Sequence, residues 1–241
     1  MNTVKKIISK MAQTVASSGG DLARPFTVAV EGNVGSGKTT FLQHFNKNQN
    51  VAVLAEPIDM WRNCSSYNLL ELMYQDPKKW SFTFQSYVQL TMLRQHQRKT
   101  RQPIKLMERS LYSARYCFVE KLCRDGLMAK PSMEVIDQWF NYVTKLEDTQ
   151  LDLIVYLRTS PEVAFERILK RNRSEERTVA FEYIRDLHDI HEAWLYNKTL
   201  HKCKAPVIVL NADLDQSVIE EEYMKFEPHI LNKIPLEVKS L

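Results

Sequence analysis

The chain has 241 residues and a formal net charge of +4, with 44% hydrophobic and 26% charged residues. This length and composition predict one α/β domain with a core of its own, and the small charge argues against a nucleic-acid platform, which would show a concentrated basic patch. No apolar run reaches the ~18 residues that a membrane-spanning helix needs. The four cysteines have neither C-x-x-C spacing nor histidine partners at zinc spacing, so we expect free thiols in a reducing compartment: Cys64, Cys117, Cys123 and Cys203.

The first 24 residues are polar and weakly patterned, and they predict a flexible N-terminal arm over 1–24. Apolar residues recur there at helical spacing among lysines, with no acidic residue before Asp21, which resembles a mitochondrial presequence. Such segments are usually rich in arginine, whereas the first arginine of this chain is Arg24. We therefore expect a cytoplasmic protein, with the mitochondrion as the alternative.

The first predicted strand, Phe26–Glu31, runs directly into a glycine-rich loop that fits the pattern G-x-x-x-x-G-K-[ST] at every fixed position. Three of the six glycines of the chain fall in it, so glycine abundance does not explain the match. Backbone N–H groups of such a loop form a nest for phosphate oxygens, the lysine charge lies on the β- and γ-phosphates, and the threonine hydroxyl is a Mg²⁺ ligand. The predicted site for a nucleoside triphosphate comprises Gly32, Asn33, Val34, Gly35, Ser36, Gly37, Lys38, Thr39 and Thr40.

Beyond this loop, short apolar strands alternate with long helical segments, which is typical of parallel β-α-β units. The further predicted strands are Val51–Ala55, Ile104–Glu108, Asp152–Leu157 and Pro206–Leu210. The predicted helices are Lys38–Asn46, Leu69–Tyr74, Trp80–Lys99, Tyr112–Leu122, Ser132–Glu147, Pro161–Arg171 and Val179–Tyr196. The predicted fold class is α/β, an open parallel sheet of about five strands flanked by helices as in P-loop NTPases. We expect this domain to span 25–228, followed by a flexible tail over 229–241.

Charged residues stand where three of the predicted strands end. The first strand ends in the phosphate loop, the second is followed by Glu56, and the third ends in Glu108 and Arg109. Ligands of open parallel sheets bind at the carboxyl ends of the strands. We therefore expect two carboxylates and an arginine to converge on the bound phosphates.

Three arginines crowd one short segment near the predicted helix Pro161–Arg171, namely Arg167, Arg171 and Arg173. The first two are four residues apart and share a helix face. Planar guanidinium groups suit the charge that spreads over a transferring phosphoryl group. Because acidic residues follow at once, we predict an arginine-rich lid here; the alternative is a solvated basic helix end.

Two common P-loop classes fit poorly. The nearest match to the guanine-reading pattern N-K-x-D is Asn197-Lys198-Thr199-Leu200, which lacks the aspartate. A helicase or motor ATPase should carry an aspartate after an apolar strand, but Leu153–Leu157 is followed by Arg158. Glu108 could instead fill the metal-organising role.

Several segments together resemble the deoxyribonucleoside kinase family, most of all its insect multisubstrate and mitochondrial thymidine kinase branches. They are Gly32–Thr40, Glu56-Pro57 with Trp61-Arg62-Asn63, Phe84-Gln85-Ser86-Tyr87, Glu108-Arg109-Ser110 with Ser113-Ala114-Arg115-Tyr116, and Arg171–Glu176. The resemblance runs from about Phe26 to Tyr223, in the order and spacing of the family. It implies transfer of the ATP γ-phosphoryl group to the 5′-hydroxyl of a deoxynucleoside.

The resemblance also assigns roles at the reacting atoms. Glu56 would be the base that accepts the hydroxyl proton, and Arg109 would orient the same hydroxyl. Thr39 and Glu108 would organise Mg²⁺, while the positive charges stabilise the phosphates: Lys38, Arg167, Arg171 and Arg173.

A nucleoside pocket follows from the same resemblance. Gln85, Val88 and Met92 lie at i, i+3 and i+7 on one face of a predicted helix. By resemblance the Gln85 amide pairs with the edge of the base, and its donor and acceptor can meet thymine or cytosine. Phe118 would stack on the base with Trp61 on the other wall, and the sugar 3′-hydroxyl would be held by Tyr74 and Glu176.

Two positions bear on substrate choice, because deoxycytidine kinase carries arginine and aspartate where this chain has Met92 and Ala114. The apolar pair leaves space for the 5-methyl group of thymine. We therefore expect thymidine and deoxycytidine as substrates, with purines weaker. The resemblance further implies a homodimer through a bundle of the helices Trp80–Lys99 and Ser132–Glu147, with neither nucleic acid nor membrane as a partner.

Two other functions remain open. A thymidylate-type nucleoside monophosphate kinase shares the loop and the lid, but its acceptor is a phosphate that a carboxylate at position 56 would repel. A non-catalytic nucleotide-binding switch needs no base–sugar pocket.

Overall fold

A parallel β-sheet forms the centre of the computed structural model, which describes residues 24–173, 176 and 179–232. Its strands are β1 (Phe26–Glu31), β2 (Val51–Leu54), β3 (Ile104–Glu108), β4 (Leu153–Arg158) and β5 (Val207–Asn211). All neighbouring strands are parallel, in the order β2-β3-β1-β4-β5. The predicted five-stranded α/β sheet is therefore confirmed, and each strand boundary lies within one residue of the prediction.

Helices connect the strands and cover both faces of the sheet. They are α1 (Lys38–His44), α2 (Ile58–Arg62), α3 (Leu69–Gln75), α4 (Pro77–Gln97), α5 (Leu111–Ser113), α6 (Glu120–Arg124), α7 (Lys130–Val143), α8 (Pro161–Arg171), α9 (Phe181–His191) and α10 (Gln216–Leu231). One turn of 3-10 helix lies at Glu147–Thr149, and π-helices lie at Ala114–Val119 and Glu192–Tyr196. None of the helices in the described ranges is long and apolar enough to cross a membrane.

The central strands are buried on both faces because the two largest apolar clusters of the described residues lie on opposite sides of the sheet. Alternate residues of β1 divide between them, with Val28 and Val30 in one cluster and Ala29 in the other. The cluster around Ala29 also contains the helices that wall the cleft described below. Burial on both faces explains why these strands read as continuous apolar runs.

Several helix boundaries differ from the predictions for local reasons. Helix α4 begins three residues earlier than predicted, because the Asp76 carboxylate caps it and Pro77 occupies its first position. Helices α2 and α10 were not predicted. The long segment predicted as Tyr112–Leu122 contains a π-helix between α5 and α6, and the end of Val179–Tyr196 is also a π-helix.

The predicted domain limits need adjustment at both ends. Helix α10 continues through Pro228 to Leu231, and Ile230 in it is fully buried, so the first residues of the predicted tail belong to the folded domain. Arg24, the last residue of the predicted arm, is tied to the sheet by a 2.6 Å ion pair with Asp152. Residues 1–23 and 233–241 lie outside the described residues.

Candidate active site

A cleft opens at the carboxyl ends of β1, β2 and β3, and the space in it, counted out to its open mouth, is about 1060 Å³. Most of the predicted site residues line it: Val34, Gly35, Lys38, Thr39, Glu56, Trp61, Tyr74, Gln85, Val88, Met92, Glu108, Arg109, Ala114, Phe118, Arg171, Arg173 and Glu176. Five predicted residues are not among those that line the cleft: Gly32, Asn33, Ser36 and Gly37 in the loop, and Thr40 in the first turn of α1.

The phosphate loop turns tightly between β1 and α1. Gly35 has a φ of 80°, and a Cβ atom placed there would lie 2.3 Å from the carbonyl oxygen of Ala164 on α8. Only glycine allows this approach. The Lys38 ammonium donates to the carbonyl oxygens of Asn33 at 2.7 Å and Gly32 at 3.3 Å. Burial, together with the nearby Arg109 charge, lowers the pKa of Lys38 to about 7, so this group gains strongly from an anion beside it.

Glu56 and Arg109 form an ion pair at the ends of β2 and β3, with 3.1 Å between Glu56 Oε1 and Arg109 Nε. Burial raises the pKa of Glu56, and the Arg109 charge opposes that rise. Arg109 also donates to the Gly32 carbonyl at 2.9 Å, and its guanidinium lies 4.6 Å from the ring centre of Phe118. Its backbone is left-handed, with a φ of 62°. Three contacts thus hold this side chain beside the carboxylate in spite of an unfavourable backbone.

Oxygen donors suited to a divalent cation meet at the start of α1. The Thr39 hydroxyl lies 3.1 and 3.4 Å from the two carboxylate oxygens of Glu108. A hydroxyl and a carboxylate beside a phosphate loop are the protein ligands that Mg²⁺ takes when substrate phosphates supply the rest. The residues therefore fit the metal.

The predicted lid is represented by Arg171, Arg173 and Glu176, all of which line the cleft. Arg171 contacts both carboxylate oxygens of Glu176 at 2.7 Å, and Arg173 lies 3.6 Å from the same carboxylate. Ser174 and Glu175, which belong to the predicted lid, lie outside the described residues. Glu176 thus holds Arg171 and Arg173 beside the cleft that all three residues line.

Arg167 does not join them, which corrects its predicted place in the lid. Its guanidinium donates to the carbonyl oxygens of Ala212 at 2.8 Å and Leu214 at 3.2 Å, in the loop after β5. Four residues of helix turn Arg167 by about 40° relative to Arg171 and set it one turn back, so the nearer carbonyls take its donors.

The apolar half of the cleft contains one polar side chain without a partner. Gln85 on α4 is 3% exposed, and its Oε1 has no hydrogen-bond partner among the described residues. Buried amide groups are almost always paired, so a free acceptor here points to a ligand. Val88 and Met92 continue the same face of α4, as predicted from their spacing.

Two other elements supply walls around Gln85. Ala114 and Phe118 lie on the π-helix, where the wider turn places residues four apart on the cleft. Trp61 on α2 donates its indole N–H to the Thr91 hydroxyl at 2.8 Å and meets the Phe84 ring edge-on at 5.7 Å. We refer to the space between these side chains and Gln85 as the slot.

The sequence reasoning missed two residues that bear on the cleft. Tyr183 on α9 lines it near Tyr74, and burial raises the pKa of the Tyr183 hydroxyl to about 12. Its position in an amphipathic helix behind the lid gave no separate signal. Glu31 at the end of β1 is fully buried and accepts a 2.5 Å hydrogen bond from Ser110. In the sequence, Glu31 could have been noticed as the charged residue that directly follows the apolar run Phe26–Val30.

The chain is similar to several characterised kinases. A family model described as deoxynucleoside kinase matches residues 28–234. Thymidine kinase 2, mitochondrial, of Homo sapiens is 47% identical over 186 residues, covering 77% of this chain and 70% of the human protein. Deoxyguanosine kinase, mitochondrial, of Xenopus laevis is 34% identical over 216 residues, covering 78% and 82%. Deoxycytidine kinase 2 of Gallus gallus is 31% identical over 229 residues, covering 82% and 86%.

Proposed function

The chain belongs to the deoxynucleoside kinase family, and on this premise we propose that its cleft phosphorylates thymidine and deoxycytidine in preference to purine deoxynucleosides. The resemblance predicted from the sequence is thereby confirmed. The protein is an ATP-dependent deoxynucleoside kinase of nucleotide salvage, with ATP as phosphate donor and a deoxynucleoside as acceptor. One observation carries the assignment of the reacting atoms: the Glu56–Arg109 pair lies in the same cleft as the phosphate loop and the slot around Gln85.

In the proposed mechanism, Glu56 accepts the proton of the 5′-hydroxyl as that oxygen attacks the γ-phosphorus. Burial raises the pKa of this carboxyl group, and the Arg109 guanidinium 3.1 Å away opposes the rise and fixes the position of the group. Phosphoryl transfer depends mainly on positioning and on charge stabilisation. Lys38, Arg171 and Arg173 supply positive charge around the transferring group, and a lid that closes over it excludes water so that hydrolysis does not compete.

Thr39 and Glu108 would hold a Mg²⁺ ion, which would supply positive charge to offset the charge of the phosphates. When Mg²⁺ is left out of the reaction mixture, turnover should fall to background, while nucleoside binding to the slot around Gln85 should persist. Equilibrium dialysis with and without a chelator separates the two effects.

The substrate preference rests on the slot. The free Gln85 acceptor and the adjoining amide N–H groups can pair with either pyrimidine by a flip of the amide. Met92 and Ala114 present apolar surface rather than charge, which accommodates the 5-methyl group of thymine. Tyr74 and Glu176, at the rim of the cleft, would hold the sugar 3′-hydroxyl.

The assay is incubation with ATP and Mg²⁺ and each of the four deoxynucleosides in turn, followed by each monophosphate. We expect thymidine and deoxycytidine monophosphates as main products and no phosphorylation of monophosphates. Phosphorylation of deoxycytidine with thymidine untouched at millimolar concentration would contradict the preference. Phosphorylation of thymidylate alone would favour the monophosphate kinase, and ATP binding without any product would favour the switch protein.

The role of Glu56 is tested by Glu56→Gln, which keeps the size and removes the base. Loss of a general base typically lowers the rate about 10²–10⁴-fold. We expect a fall of this order in kcat, with the dissociation constant for ATP little changed. Glu147→Gln, an exposed carboxylate remote from the cleft, is the matched control. Full turnover by Glu56→Gln would show that another group takes the proton.

We also propose that two copies associate through α4 and α7, which pack against each other. On α7, Trp139 and Tyr142 are 63% and 65% exposed, and Val135 continues the same face at i, i+4 and i+7 spacing. Leu90 of α4 is a further exposed apolar residue, at 43%. Patches of this kind mark interaction sites more often than scattered single residues do.

Light scattering after size exclusion tests the association. We expect twice the chain mass of 28.2 kDa for the natural protein and the single mass for Trp139→Glu. The control is Leu169→Glu, which alters an equally exposed residue on α8. A natural protein of single mass would contradict the proposed dimer.

Localisation in the mitochondrion, the alternative drawn from the sequence, is the one we now propose. The two relatives named above from Homo sapiens and Xenopus laevis carry the word mitochondrial in their names. The residues concerned, 1–23, lie outside the described structure. Imaging of the full chain and of a form lacking 1–24 tests the proposal: loss of mitochondrial signal in the shortened form is expected, and identical distributions would contradict it.

A further inference from the structure

The side chain of Asn33, in the phosphate loop, faces a helix rather than the phosphate nest. Asn33 is 3% exposed, and its Nδ2 donates to the carbonyl oxygen of Ile184 on α9 at 2.7 Å. Its Oδ1 accepts from the Val34 N–H at 2.8 Å. Both ends of the amide are therefore used, and the amide is locked in one orientation between the loop and α9.

The main chain of the same residue contacts the cation that receives the ATP phosphates. The Asn33 carbonyl accepts from the Lys38 ammonium at 2.7 Å. A polyphosphate competes for this ammonium, because a charged oxygen is a stronger acceptor than a neutral carbonyl. Any shift of Lys38 toward phosphate therefore changes the forces on the peptide group of Asn33.

The helix at the other end of this connection lines the nucleoside side of the cleft. Tyr183, next to Ile184 on α9, is one of the lining residues. Lys121 lies 5.7 Å from the centre of the Tyr183 ring and 3.0 Å from Asp186 on the same helix, which fixes α9 against α6. Movement of the Ile184 carbonyl is thus passed directly to a wall of the nucleoside site.

We propose that Asn33 is a positioning residue that couples occupancy of the ATP site to affinity for the nucleoside, through its hydrogen bond to α9. This inference rests on the donor and acceptor halves assigned under the proposed function. Coupling between two sites is a free energy, and it is reciprocal. Its measure is the ratio of the thymidine dissociation constants without and with a bound ATP analogue.

A second contact of α9 provides the control for a merely structural role. The Nδ1 atom of His188 lies 3.0 Å from the carbonyl oxygen of Thr159, in the loop after β4. This bond also fastens α9 to the body of the protein, but it does not touch the phosphate loop. His188→Ala should therefore lower stability without altering the coupling.

The experiment is isothermal titration of the full chain with thymidine, with and without a non-hydrolysable ATP analogue and Mg²⁺. We expect a ratio of at least about fivefold for the natural protein, in the usual range of such couplings. The ratio should approach one in Asn33→Ala and stay at the natural value in His188→Ala. Asn33→Ser, which keeps a polar group at this position but is too short to reach Ile184, guards against a folding defect and should behave like Asn33→Ala.

Each other result counts against the inference. An unchanged ratio in both Asn33 variants, a ratio of one in the natural protein, or a ratio lost equally in His188→Ala would overturn it. If the natural protein binds neither thymidine nor the analogue, the proposed function itself fails. That outcome is distinguishable from a failure of the coupling inference, because it is a loss of binding in the natural protein rather than a change in the ratio of dissociation constants.

Discussion

The buried carboxyl group of Glu31 gives the sharpest test of the electrostatics of this site. Glu31 is fully buried at the end of β1, and one of its oxygens accepts from Ser110 while the other has no partner among the described residues. Burial raises its pKa from 4.5 to about 7, with the Ser110 hydrogen bond and the Arg109 charge opposing the rise. Glu31→Gln keeps the shape and an acceptor for Ser110, and it removes only the titration.

The sign of the effect follows from proton binding. Between about pH 4.5 and 7 the folded state holds a proton on Glu31 that the unfolded state has lost, so stability falls as the pH rises through this window. Each pKa unit corresponds to ~1.4 kcal/mol, so ionisation of Glu31 lowers the free energy of unfolding by up to about 3 kcal/mol at pH 8. The free energy of unfolding of Glu31→Gln does not fall in this way, because glutamine does not ionise.

The assay is urea unfolding of both proteins at about pH 5 and about pH 8, near the limits of this window. The free energy of unfolding of Glu31→Gln, taken relative to the natural protein, should rise by a large part of that 3 kcal/mol between the two pH values. Titrations common to both proteins cancel in this difference. Glu147→Gln, which removes an exposed carboxylate, should show no comparable change. A difference that does not vary with pH would refute the reasoning.

Two further predictions concern the ligands. At about pH 8, ATP binding should take up a proton, because the pKa of Lys38 lies near 7 in this structure and phosphate anions raise it. Titration calorimetry in two buffers of different ionisation enthalpy measures this proton uptake. Binding without proton uptake would contradict the assignment of Lys38 to the phosphates. The pair Met92→Arg and Ala114→Asp should lower kcat/KM for thymidine about 10–200-fold relative to deoxycytidine, since it replaces the space for the methyl group. Met92→Leu, which adds no charge, serves as its control, and an unchanged ratio of the two substrates would exclude these positions from substrate choice.

The sheet was predictable because its strands are short apolar runs separated by helices. Two-sided burial leaves Val28 to Val30 without a polar residue, and the run Leu153 to Val155 in β4 has the same character. The π-helix at Ala114–Val119 was not predictable, since a π-turn and an α-turn differ by one residue of hydrogen bonding and share the same composition. Helix α2 is five residues long, too short to show a period.

The cleft was predicted residue by residue where the function depends on residue type at a strand end, as for Glu56 and Arg109. The prediction failed where the position of a side chain depends on which of several partners lies nearest in the folded chain. Arg167 has the right charge and spacing for the lid, but carbonyl groups 45 and 47 residues away bind it instead. Tyr183 was missed because only the packing of α9 beside α6 brings it to the cleft.

The left-handed backbone of Arg109 limits how this protein can be improved. A left-handed conformation costs a residue other than glycine roughly 1–2 kcal/mol. The backbone alone would favour glycine at position 109, but Arg109→Gly would leave the buried Glu56 carboxylate without its partner, which costs more than the backbone strain. Variants selected only for heat resistance should therefore keep arginine at this position, strain included. An engineered thermostable enzyme has to hold this position constant and gain its stability elsewhere.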